Sequence, residues 1–188
     1  GKAVELCGWV GSRRDHGNLI FIDIRDGYGI TQVVFNTSIS ADVHKKAEEL
    51  RPEFVIKIKG RVQKRPAGTE NAKIATGLIE VNAESVEILN KAMTPPFEVS
   101  DDVAVTEESR LKYRYIDLRR ASMQKSLRLR HKACKLARDY FDERNFVEVE
   151  TPILTKSTPE GARDYLVPSR VNHGMFYALP QSPQLFKQ

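Results

Sequence analysis

From Phe54 to Val62 the chain alternates without a break, with Phe54, Ile56, Ile58, Gly60 and Val62 on one side and Val55, Lys57, Lys59 and Arg61 on the other. Period two is the mark of a strand that lays one face on a core. Leu19 to Asp26 repeats the pattern, with Ile20, Ile22 and Ile24 on one face and Phe21, Asp23 and Arg25 on the other. An aromatic ring is thereby left on a polar face. Val4 to Arg13 and Ile30 to Phe35 are rich in strand formers, Gly8 and Gly11 mark bends in the first, and Gly27-Tyr28-Gly29 turns the second strand into the third. Ala41 to Leu50 predicts a short helix. After a polar loop from Arg65 to Gly77, a fifth strand is expected from Leu78 to about Leu89.

Past residue 90 the character changes. Lys91 to Ser109 reads as a linker, stiffened by Pro95-Pro96 and solvated by Asp101-Asp102 and Glu107-Glu108. Thr106 predicts the N-cap of a helix running to about Arg120, with acids in its first turn and arginines in its last. Ser122 predicts the cap of a longer helix in which Met123, Leu127, Ala133, Leu136, Ala137, Tyr140 and Phe141 recur at helical spacing, and Asn145 suits a left-handed terminator. Its basic residues, among them Lys125, Arg128, Arg130 and Lys132, read first as a solvated face. Phe146, Val147 and Val149 predict a short strand ended by Pro152, followed by a loop holding Glu160, Gly161, Arg163 and Asp164. Beyond the Val167-Pro168 break, Phe176 to Leu179 predicts another strand. Ser182, Gln184 and Lys187 follow it as hydroxyl, amide and ammonium, donors for a small polar anion.

Composition adds boundaries. The 188 residues suffice for two domains, and 40% hydrophobic with 29% charged residues is the balance of a soluble globular protein. No apolar run approaches the roughly 20 residues of a membrane helix. The start, Gly1-Lys2-Ala3-Val4, offers no Met, signal core or presequence, so a cytoplasmic protein entered part-way along is expected. Cys7 and Cys134 belong to no CxxC pair or His/Cys cluster, so the expectation is two buried thiols, with neither a disulfide nor a metal site. A net charge of +5 permits a polyanion partner.

The order β-β-β-α-β-β, with a helix between strands three and four, is that of the five-stranded OB barrel, whose open face binds oligonucleotides. Phe21, flanked by Asp23 and Arg25, fits a base-stacking platform. Three strings then carry a resemblance: Leu6-Cys7-Gly8-Trp9-Val10 with Phe21-Ile22-Asp23-Ile24-Arg25-Asp26; Leu-Lys-Tyr-Arg-Tyr-Ile-Asp-Leu-Arg-Arg at 111–120; and Thr-Pro-Glu-Gly-Ala-Arg-Asp-Tyr at 158–165. Together they resemble the bacterial-type aspartyl-tRNA synthetases, which are class II synthetases, over nearly the whole chain. The resemblance implies an α+β protein in three parts: residues 1–90, an OB-fold anticodon-binding domain; 91–120, a linker and hinge helix; and 121–188, the first portion of an antiparallel-sheet catalytic domain. That last portion would hold the first class motif and the aspartate loop, without the second and third motifs.

What the resemblance implies about residues is specific. Phe21 would stack on the middle anticodon base, with Arg14, Gln32, Arg65 and Glu80 contacting the same loop of the tRNA. Glu160, Ser182, Gln184 and Lys187 would bind aspartate, Lys187 through the side-chain carboxylate, and Pro152 would mark a homodimer interface. His16 and Gly68 resemble members that charge both tRNA(Asp) and tRNA(Asn). One departure is Ser12, where many members have the first of three arginines. A complete member would use ATP with Mg2+ to form aspartyl-adenylate and then charge tRNA, and the 188 residues alone are expected to be inactive. Asparaginyl-tRNA synthetases are the nearest alternative, although Glu-Gly-Ala-Arg-Asp-Tyr-Leu-Val-Pro-Ser-Arg resembles the aspartyl type. A strict aspartyl enzyme and a non-catalytic OB module are the other readings, and the aspartate-pocket residues argue against the module.

Overall fold

The computed structural model describes residues 1–157 and 163–186, which fall into two compact units, Gly1–Ser126 and Leu127–Gln188. In the first unit, strands β1 (Ala3–Asp15), β2 (Leu19–Arg25), β3 (Ile30–Asn36), β4 (Val55–Lys64) and β5 (Ile79–Asn90) close a barrel in the order β1-β2-β3-β5-β4. All neighbours are antiparallel except β3 and β5, which meet in a short parallel pair at Val33–Val81 and Val34–Asn82. The alternation decides the interior: Ile20, Ile22, Ile56, Ile58, Val10 and Phe35 have no exposed surface. Helix α1 (Ala41–Glu48) sets Ala47 against this core, capped by Ser40, whose hydroxyl accepts from the Val43 N–H at 3.3 Å. Gly60 is required where the β4–β5 register shifts between Lys59 and Gly60, since a Cβ there would lie 2.1 Å from the Asn82 carbonyl oxygen. The first strand bulges at Gly11, between Val10 and Ser12.

The segment expected as one helix from Thr106 to Arg120 is instead two, α2 (Glu107–Lys112) and α3 (Arg114–Asp117), broken at Tyr113 with φ −110° and ψ 46°. Asp117 shows why. Its carboxylate is fully buried, and it accepts from Arg110 Nε at 3.0 Å and Arg114 Nη1 at 2.6 Å, with Arg120 Nη1 at 3.5 Å. In one continuous helix the Cα atoms of Arg110 and Asp117 would be separated by about 10 Å of axial rise. The break folds three cations around one anion. The following helix, α4 (Ala121–Asp142), begins one residue before Ser122, and the cap comes from the linker: Asp101 accepts from the Ser122 N–H at 2.8 Å and from its hydroxyl at 2.6 Å. A carboxylate suits a helix N-terminus better than the serine it replaces in that role.

The hydrogen bond from Arg110, helped by the charges of Arg110, Arg114 and Arg120, holds the Asp117 carboxyl below its ordinary value against the opposing effect of burial. Such a group stabilises the fold above its unfolded pKa of about 4 and loses that contribution as pH falls through the folded value. Asp101, lowered chiefly by the Ser122 hydroxyl, acts in the same direction. We therefore expect the urea midpoint of the chain to fall on acidification below about pH 5, and to fall less steeply in Asp117→Asn. Parallel curves for the two proteins would remove Asp117 from the account.

In the second unit, α4 ends as expected on Asn145 at φ 61°. The Phe146 N–H returns to the Phe141 carbonyl at 3.1 Å and the Asn145 N–H to Asp142 at 2.9 Å, with the Phe141 and Phe146 rings 5.4 Å apart, the bonds and apolar contact of a Schellman closure. The strand expected at Phe146, Val147 and Val149 does not form. Phe146 is spent on closing the helix, and Glu148 is held by Arg138 at 2.8 Å, so neither lies in a ladder. Strands β6 (Tyr165–Pro168) and β7 (Phe176–Leu179) pair with each other, and Pro168, expected as a break, is the end residue of β6. Both cysteines are exposed rather than buried: Cys7 lies on the outer face of β1 opposite Lys57, and Cys134 on an open side of α4. No helix among the described residues is long and apolar enough to cross a membrane.

Candidate nucleic-acid interface

Parity places the site. Because Ile20, Ile22 and Ile24 fill the barrel, Leu19, Phe21 and Asp23 must face away from it, and pairing sets Arg14 and Val34 on either side of Phe21. The result is a groove of about 600 Å³ on the outer wall of the barrel. Arg14, His16, Phe21, Gln32, Arg65 and Glu80, which come from four strands and two loops, all line it. Phe21 is partly exposed, and the His16 ring meets its edge at 5.6 Å and 80°. His16 is held at the rim by its N–H, which donates to the Leu19 carbonyl at 2.9 Å.

Behind the ring runs a chain of hydrogen bonds that fixes the polarity of each amide. Arg14 Nη2 donates to Asp23 Oδ1 and to Gln32 Oε1, both at 3.1 Å, and Ser12 Oγ donates to Asp23 Oδ2 at 2.6 Å. Ser12, the departure noted in the sequence, thus steadies the carboxylate that steadies Arg14. Gln32 Nε2 donates to Glu80 Oε2 at 2.9 Å, Gln63 Nε2 donates to Glu80 Oε1 at 2.8 Å, and Asn82 Nδ2 donates to Gln63 Oε1. Each glutamine has one N–H committed to Glu80 and a second with no partner among the described residues, so the groove holds amides of settled orientation. Arg65 is buried, its Nε donating to the Ile79 carbonyl at 3.1 Å and its Nη1 to Thr69 at 3.4 Å. Its Nη2 is buried with no hydrogen-bond partner among the described residues. A flat ring beside oriented donors and two guanidinium groups suits a base with acceptor edges and a phosphate near it.

Gln63 and Asn82 complete this network although they were not singled out in the sequence. Extending the alternation of strand four by one residue turns Gln63 outward, and its register partner is Glu80. Gly68 does not line the groove. Its φ of 84° is a left-handed geometry that glycine adopts freely, and a Cβ there would meet nothing within 4 Å. In the second unit, Ser182 and Gln184 sit together at a short 3-10 turn, the Ser182 hydroxyl accepting from the Gln184 N–H at 3.2 Å, and both are exposed, as is Pro152. Glu160 and Lys187 lie outside the described residues. No group of three or more His, Cys, Asp or Glu able to hold a metal ion occurs among the described residues.

Comparison with known proteins finds two family models. Residues 4–89 match the OB-fold nucleic acid binding domain, and residues 106–188 match the tRNA synthetases class II (D, K and N). The chain is 61% identical over all 188 residues to the aspartate–tRNA(Asp/Asn) ligase of Halothermothrix orenii, and 60% identical to the aspartate–tRNA ligase of Oceanobacillus iheyensis. It spans 32% of the length of each. Among solved structures it is similar to the asparaginyl-tRNA synthetase of Pyrococcus horikoshii complexed with asparaginyl-adenylate, with a TM-score of 0.82 and 26% identity, covering 99% of this chain and 41% of that one.

Proposed function

We propose that this chain, whose residues 106–188 match the tRNA synthetases class II (D, K and N), is the tRNA-reading portion of an aspartate–tRNA ligase that serves both tRNA(Asp) and tRNA(Asn). One observation carries the reading. The five positions Arg14, Phe21, Gln32, Arg65 and Glu80, marked by their likeness to an anticodon-binding site, line one groove together with His16, although they are spread over 67 residues of sequence from Arg14 to Glu80. Phe21 supplies the stacking surface, Gln32 and Arg14 the oriented donors, and Glu80 the acceptor that locks both glutamine amides. Residues 1–90 would form the anticodon domain, 91–120 the hinge and 121–188 the start of the catalytic domain. In the whole protein Glu160, Ser182, Gln184 and Lys187 would hold L-aspartate, and Pro152 would lie at a homodimer interface. ATP with Mg2+ would enter as substrate, and the cytoplasm is the compartment where its tRNA partners are found. Such a reaction relies on positioning and charge stabilisation rather than on a protein nucleophile.

His16 underlies the dual specificity. The anticodons of the two tRNAs differ at one position, where C offers an amino donor and U a carbonyl acceptor. A neutral imidazole at the rim can donate through one nitrogen and accept through the other, and so tolerates either. Gly68, which lies off the groove, takes no part in this reading. The test is aminoacylation of the two transcripts by the whole protein: we expect kcat/KM values within roughly tenfold, a difference of about 1.4 kcal/mol. A preference of about a thousandfold for tRNA(Asp) would overturn dual charging and leave the strict ligase.

A further inference from the structure

Glu53 holds a backbone geometry that disfavours its own side chain. Its φ is 67°, in the left-handed region where glycine or asparagine sits more easily. The turn around it is stitched to β1, the Glu53 N–H donating to the Val10 carbonyl at 2.8 Å and the Val10 N–H to the Phe54 carbonyl at 2.9 Å. A turn needing only this geometry would be served by glycine. The carboxylate supplies the missing reason. Buried at the end of the barrel, it receives Arg25 Nη2 from β2 at 2.7 and 2.9 Å, and it faces Arg119 Nη2 from the hinge at 2.8 Å. The last contact is an ion pair rather than a well-directed hydrogen bond, since that Nη2 has no hydrogen-bond partner among the described residues. The Arg119 guanidinium also lies over the Trp9 ring, 4.6 Å from its centre, and Trp9 is the register partner of Arg25. Arg120, the next residue, turns the other way, to Asp101 of the linker at 3.3 Å and Asp117 of the hinge at 3.5 Å.

We infer that Glu53 is a positioning residue, the anchor of a clasp in which Arg25, Arg119 and Trp9 fix the hinge segment to the barrel. Neighbouring arginines form a fork, one prong on the barrel and the other on the linker and hinge. The segment at 114–120 is thereby a rigid extension of the barrel rather than a free tether, which agrees with a first unit that runs to Ser126. The clasp is independent of what fills the groove. Resting on the reading above, it gives tRNA binding a fixed mechanical connection to the hinge.

Hydrogen exchange on the 188-residue chain tests it through the amides of Leu118, Arg119 and Arg120, which are bonded to Arg114, Ile116 and Asp117. Glu53→Gln, Glu53→Gly and Arg119→Met are each expected to speed exchange there by roughly tenfold or more, with the strand amides of β2 and β3 unchanged. Glu53→Gly is the decisive variant, because it relieves the backbone while removing the carboxylate. Wild-type hinge protection in that variant would overturn the clasp, as would loosening of hinge and barrel in step. Arg119→Met, altered on the hinge side, keeps the test valid if either Glu53 variant fails to fold. The Glu53→Gln and Arg119→Met double variant should exchange no faster than the single ones, because both remove the same interaction, and additive effects would separate them. Binding of an anticodon stem-loop should be unchanged in all of these; a wild-type chain that fails to bind it would refute the groove reading and leave the clasp standing.

Discussion

Phe35→Ala is expected to cost the barrel about 3–5 kcal/mol, measured as the loss in unfolding free energy on urea titration followed by Trp9, the single tryptophan of the chain. Phe35 has no exposed surface, pairs with Ile20 across β2 and β3, and belongs to the one cluster that fills the barrel. Truncation removes the transfer energy of the ring and leaves a cavity that a closed barrel collapses poorly to fill. The loss is a large share of the roughly 5–15 kcal/mol that holds a typical domain together, so partial unfolding near 37 °C is the practical outcome. Cys7→Ala on the outer face of β1 is the control, expected within about 0.5 kcal/mol of wild type. A Phe35→Ala loss no greater than the control's would mean that the barrel does not depend on this interior.

Phe21→Ala should have a different signature, weakening anticodon stem-loop binding by about 1–3 kcal/mol, roughly 5- to 150-fold, while the barrel stays folded. The ring is partly exposed and touches the edge of His16, so its removal deletes a stacking surface without opening the core. In the whole protein, aspartate-dependent pyrophosphate exchange should be unaffected, because the residues proposed above to hold aspartate, Ser182 and Gln184 among them, belong to the second unit and not to the groove. Equal losses in binding and exchange would place Phe21 elsewhere in the mechanism. A high-salt repeat separates the two contributions proposed for the groove: the loss from Phe21→Ala should persist, whereas the phosphate attraction proposed for Arg14 should fade.

The primary sequence by itself determined the barrel and which face of its second strand lines the groove. Period-two alternation in Phe54 to Val62 and Leu19 to Asp26 is a local pattern, and which side of a strand a residue takes follows from its neighbours alone. Ile20, Ile22 and Ile24 went inward and Phe21 outward on that ground, and Asn145 was legible as a helix terminator because left-handed geometry is a property of one residue. Tertiary structure decided whatever depends on a partner distant in sequence. Gln32 and Glu80 are 48 residues apart, Ser122 and Asp101 are 21, and Arg25 and Glu53 are 28, and no local pattern says that one carboxylate will be met by a given amide, helix end or guanidinium. The strand read at Phe146, Val147 and Val149 was lost for the same reason, since a strand exists only through its ladder and Phe146 returned to Phe141 instead. The break at Tyr113 was invisible because the favourable ends of an uninterrupted helix were written in the sequence, while the pull of Arg110 onto Asp117 became available only once the chain had folded back. Side-chain parity is set one residue at a time, whereas a charge network is set by the whole fold.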